Sequence, residues 1–94
     1  MTQTANSTYS YTTQKSAVFL EENQRAFLHI RDRAFMLIAR SGAARLGSII
    51  DGSIASDSWV SLACVDRLAE LGELIEIPQQ KVGQQHRIFI SGKG

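Results

Sequence analysis

Between Leu68 and Ile77 the hydrophobic period of the chain changes from helical to alternating, and the change falls at a glycine. Upstream, Leu62, Val65, Leu68, Ala69 and Gly72 recur at three- and four-residue spacings, the stripe of a helix laid on a core. Downstream, Leu74-Ile75-Glu76-Ile77 and His86-Arg87-Ile88-Phe89-Ile90 read as two short strands around a polar, glycine-containing loop. Gly72 supplies the left-handed residue that ends such a helix without a Cβ penalty. Helix and hairpin joined through one glycine place the chain in the α+β class.

Ninety-four residues suffice for one small core. Hydrophobic residues at 44% and charged residues at 20% are those of an ordinary globular chain. A net charge of +1 neither predicts nor excludes a nucleic-acid partner, because local placement matters more than the sum. The single cysteine, Cys64, forms neither an internal disulfide nor a cysteine-rich zinc site. No signal segment opens the chain and no apolar run approaches a membrane span, so a cytoplasmic protein without membrane contact is expected.

Residues 1–16 are mostly Thr, Ser, Gln, Asn and Tyr, with one lysine. That composition predicts a flexible polar arm, with the folded domain covering 17–94. A first helix is expected over residues 22–41. Phe27, Ile30, Ala34, Leu37 and Ile38 form its apolar stripe, widened by Leu28 and Phe35. Arg25, His29, Arg33, Met36 and Arg40 share the opposite face. Gly42 interrupts the pattern, a short helix is expected over 43–50, and Asp51-Gly52-Ser53 signals a turn. A third helix over 56–71 begins at Ser56 or Asp57, either of which can cap it.

The order helix, short helix, turn, helix, hairpin, with Val65-Asp66-Arg67-Leu68-Ala69-Glu70-Leu71-Gly72-Glu73-Leu74-Ile75 at its centre, resembles the winged helix-turn-helix family. The resemblance covers roughly residues 20–91 and implies a three-helix domain with a C-terminal β-hairpin wing at 74–90. It also implies a DNA-binding transcriptional regulator on double-stranded DNA. There helix 56–71 would dock in the major groove while the wing grips phosphates. By position, Ser56, Ser58, Trp59, Ala63 and Arg67 would face the groove, and Lys81 and Arg87 would hold the backbone. A homodimer, paired through helices, suits that role.

The outward face of the third helix departs from what DNA asks. With Val65 and Leu68 placed inward, a 100° step per residue turns Trp59, Val60, Ala63, Asp66, Arg67 and Glu70 outward. This set has one cation and two acids, where base edges and phosphates favour Arg, Lys, Asn or Gln. The same scaffold also serves as a protein-docking module, and Trp59, Val60 and Ala63 would then anchor the partner. Trp59 can equally complete the core. Arg31 falls on the apolar side of the first helix, where Asp51 or Glu73 is its candidate partner. His29 and His86 have no paired carboxylate in a recognisable spacing, and Cys64 adjoins the buried stripe. No phosphate loop or metal-ligand set occurs, so neither enzyme activity nor a cofactor is expected.

Overall fold

The computed structural model describes residues 9–51, 58–78 and 86–92. Among them lie four α-helices and a small antiparallel sheet. Helix α1 is Tyr11–Val18, α2 is Gln24–Ser41, α3 is Leu46–Ile50 and α4 is Ser58–Glu70. Strands β1 (Ala44–Arg45), β2 (Leu74–Ile77) and β3 (Ile88–Ser91) stand in the order β1-β3-β2. The α+β class expected from the sequence is the observed one.

Helix α1 begins inside the segment expected to be an arm. Its folding follows from spacing rather than composition. Tyr11, Gln14, Lys15 and Val18 recur at i, i+3, i+4 and i+7 and are sheltered, with Ala17 beside them, whereas Thr12, Thr13 and Ser16 face solvent. The folded body therefore takes in residues before 17. Residues 21–23 form one 3-10 turn, and the Asn23 side-chain amide donates to the Ala17 carbonyl at 2.9 Å, tying α1 to the start of α2.

Helix α2 runs close to the expected bounds and buries Ala26, Ile30 and Ala34. Gly42, at φ 83°, ends it, its N–H donating to the Ile38 carbonyl at 2.6 Å. The next residues correct the expectation of a helix over 43–50. Ala44 and Arg45 are strand, paired with Phe89 and Ile88, and only Leu46–Ile50 is helical. A distant strand settles their conformation, a tertiary contact that local pattern does not carry. The Leu46 N–H donates to the Arg87 carbonyl at 2.7 Å and fixes where strand gives way to helix.

Helix α4 ends as its sequence demands. Gly72 adopts φ 81°, its N–H reaches the Ala69 carbonyl, and the Glu73 N–H reaches the Leu68 carbonyl at 3.0 Å. This is a Schellman close, and it turns the chain directly into β2. The core gathers around α4. Val60, Leu62, Ala63, Cys64, Val65 and Leu68 are buried with Val18 of α1, Ile30 and Ala34 of α2, Leu46 and Ile49 of α3, and Leu74 and Phe89 of the sheet. A helix buried on several sides has apolar residues around most of its circumference, and Val60 to Val65 contain no charge.

Beyond β3, the Gly92 N–H donates to the Glu73 carbonyl at 3.0 Å and extends the β2–β3 ladder. A Cβ at Gly92 would overlap the Gly72 carbonyl oxygen, whereas one at Gly42 meets nothing within 4 Å. Gly42→Ala should therefore cost only its left-handed backbone, about 1 kcal/mol. Gly92→Ala drives side chain into backbone and should cost about 2–3 kcal/mol. Thermal unfolding followed by circular dichroism separates the two; equal shifts would contradict the close approach.

Candidate functional site

Helix α4 should present the working face, and its outward side is covered. Helix α1 lies along it, held by carboxylates that α4 supplies. The Tyr9 hydroxyl donates to Asp66 Oδ2 at 2.6 Å. The Tyr11 hydroxyl donates to Glu70 Oε1 at 2.6 Å, and Lys15 Nζ reaches Glu70 Oε2 at 2.8 Å. Tyr11 and Lys15 stand one turn apart on α1, so a single carboxylate on α4 receives both. The acids that would repel phosphate are the anchor points of the N-terminal helix.

Two of the basic residues expected at DNA, Arg67 and Arg87, are similarly engaged. Arg67 Nη1 bonds Glu70 Oε1 at 2.9 Å, and its guanidinium lies 5.0 Å from the Phe19 ring centroid. Arg87 shares the core side of the sheet with Phe89, two residues on, and stacks 5.2 Å from its ring. There Arg87 grips Glu76 through both carboxylate oxygens, at 2.9 and 2.8 Å, and Asp66 Oδ1 at 2.7 Å. The side chains of Arg87 and Asp66 are each 15% exposed. Tyr9, Asp66, Arg87 and Glu76 thus form one chain of charge-assisted bonds from the N-terminal segment through α4 to β2.

Ala63 is fully buried and Val60 nearly so, although periodicity turned both outward. Trp59 is half-buried and packs against the core. Ser58 is the first residue of α4, and Ser56 and Lys81 lie outside the described residues. Arg31 meets neither Asp51 nor Glu73. Its Nη2 lies 3.4 Å from Asp32, its guanidinium 6.0 Å from the Phe35 ring, and its buried Nε has no hydrogen-bond partner among the described residues. Arg33 instead reaches toward Asp51, at 4.0 Å, while its Nε donates to the Ser48 carbonyl at 2.7 Å. Cys64 is a core residue whose thiol burial pushes up to about 11, unsuited to nucleophilic work.

A different surface is conspicuous. In the antiparallel ladder Ile75 stands opposite Ile90 and Ile77 opposite Ile88. Directly opposed residues share a face, so these four isoleucines lie together on the side away from the helices. Leu74 and Phe89, on the other side, are buried. Ile75 is 49% exposed and Ile77 37%, with Ile88 and Ile90 half-buried. An antiparallel sheet with one face on a core ordinarily turns polar residues to water on the other. Here the face turned to water carries isoleucines instead.

No protein-family model, curated protein or solved structure matches the chain. Among the described residues no helix is long and apolar enough to cross a membrane.

Two consequences follow for stability. Arg87→Ala strips Asp66 of its cation in a sheltered site and should cost about 2 kcal/mol, somewhat less than a fully buried pair. Unchanged stability in urea unfolding would show that Arg87 is an ordinary surface charge. The second consequence concerns pH. Hydrogen bonds from Lys15, Tyr11 and Arg67 hold the Glu70 carboxyl at about 2. Its contribution is whole above the unfolded value of 4.5 and is lost as pH falls toward 2. Burial and the Asp66 and Glu70 hydrogen bonds raise the Tyr9 and Tyr11 hydroxyls above their ordinary 10. Their contribution is whole below pH 10 and is lost as pH rises through the raised values. Unfolding free energy should decline at both extremes; Glu70→Gln should flatten the acid limb and, by removing the charge beside Tyr11, shrink the Tyr11 part of the alkaline limb while leaving the Tyr9 part. An acid limb identical in the variant would contradict the Glu70 assignment.

Proposed function

We propose that the chain is a winged-helix-type protein-interaction module whose working surface is the solvent face of its sheet. The supporting order is α2, α3, α4 and the β2–β3 hairpin, the sequence of elements in a winged helix, with α1 and β1 added to it. The observation that carries the functional reading is the apolar face of Ile75, Ile77, Ile88 and Ile90. Contiguous exposed apolar surface marks interaction sites. Leaving an isoleucine in water forgoes up to about 2–3 kcal/mol that burial would return. Docking through Trp59, Val60 and Ala63 is not part of this reading, since the last two are buried.

A winged-helix DNA-binding regulator is the second reading, favoured by the element order and by Arg40 and Arg45. Both are exposed beside the α2–β1 junction, with no ion-pair partner among the described residues. Against it, α1 occupies the face of α4 that would enter a groove, and Arg67 and Arg87 are held by carboxylates. A DNA-bound form would have to move α1 and break those bonds.

Fluorescence anisotropy with generic duplex DNA at low salt decides between the two. The interaction-module reading predicts no binding whose affinity falls steeply with salt. A log–log salt slope equivalent to about three or more phosphates would establish a cationic footprint and overturn it.

A further inference from the structure

We infer that the partner of the isoleucine face is a second copy of this chain, packed sheet on sheet about a two-fold axis. This rests on the reading of that face as an interaction surface and names its occupant.

Two opposite charges border the patch. On one side Arg45 of β1 stands opposite Ile88, exposed, at the end of the row Arg45, Ile88, Ile77. On the other, the bond from the Gly92 N–H to the Glu73 carbonyl carries the ladder past Leu74. By strand alternation Glu73 therefore lies on the same side as Ile75, two positions further along. The cation and the carboxylate occupy diagonally opposite corners of the apolar patch. Neither has an ion-pair partner among the described residues.

A surface of this kind is complementary to itself. Across a two-fold axis residue i meets residue j while j meets i, so one Arg45–Glu73 contact is made twice. When two such sheets cross near a right angle, a recognised mode of sheet packing, the diagonal corners are exchanged. The four isoleucines then interdigitate at the centre, and each Arg45 faces Glu73 of the partner subunit at the rim. Apolar centre and charged rim is the anatomy of a protein interface. A nucleic acid or an anionic membrane would call for cations around the whole patch and would meet Glu73 unfavourably.

Size sets the strength. The face is about 10 Å across its strands and about 14 Å along them. That is well short of the ~800 Å² per partner of a standard stable interface. The dimer should accordingly be weak and concentration-dependent, with a dissociation constant on the order of 100 μM.

Sedimentation equilibrium on the full chain, from about 10 μM to about 1 mM, tests this. Wild type should move from monomer toward dimer over that range, and Ile75→Lys should remain monomeric. Arg45→Glu and Glu73→Lys should each weaken association by about fivefold or more, and the two together should restore it, because the pair is then re-formed with signs exchanged. Wild type that stays monomeric at the top of the range overturns the proposal. So does dimerisation that Ile75→Lys leaves unchanged, or a double variant no better than either single one. The melting temperature of dilute Ile75→Lys separates this failure from failure of the underlying reading. If wild type is monomeric and the variant melts like wild type, the face is not needed for the fold and only self-association falls. If the variant melts far lower, the face is a fold element and the interaction-surface reading falls with it.

Discussion

The carboxylate of Asp66 is the point on which three parts of the structure depend. It sits in the second half of α4, sheltered, and accepts from Tyr9 on one oxygen and from Arg87 on the other. Through Arg87 it is joined to Glu76 on β2, and through Tyr9 to the segment that leads into α1. An unpaired carboxylate in that sheltered position would be costly, so each partner is held in place by the need of the others. Val60 and Ala63 of the same helix lie in the core. The described residues form a four-helix body in which α4 is an interior element.

That arrangement accounts for an oddity in the sequence. The supposed groove face of α4 carries small apolar residues and acids, a poor surface for DNA. It is a good surface for a helix: Val60 and Ala63 allow close approach, while Asp66 and Glu70 accept bonds from Tyr9, Tyr11 and Lys15. The same displacement redirects attention to the sheet. With α4 enclosed, Ile75, Ile77, Ile88 and Ile90 form a contiguous apolar surface on the sheet, and function is better sought there.

Much of the fold was legible in residue order. The helical stripe of Ile30 and Ala34, the glycine stop at Gly72 and the two alternating strands all lie where periodicity and backbone preference put them, because these signals are local. Three features were not legible, for distinct reasons. Helix α1 is hidden by a polar composition, although Tyr11, Gln14, Lys15 and Val18 carry its spacing. The charge-free run from Val60 to Val65 signals a helix enclosed on several sides, a signal outweighed by placing Val65 and Leu68 alone at the buried centre. Strand β1 exists because Ala44 and Arg45 pair with Phe89 and Ile88, residues more than forty positions away. The candidate site suffered most, since a two-residue alternation shows that Arg87 and Ile88 face opposite ways but not which way is inward. Packing against α4 decides it, and turns Arg87 toward Asp66.

The central claim is that α1 is an integral layer of the fold covering α4, and native-state hydrogen exchange at neutral pH tests it most directly. The account predicts that the amides of the last turn of α1 exchange only through openings that also expose α4, with protection well above that of an unstructured chain. Exchange of those amides at unstructured rates, while α4 stays protected, would contradict it. It would also return the face of Asp66, Arg67 and Glu70 to the surface.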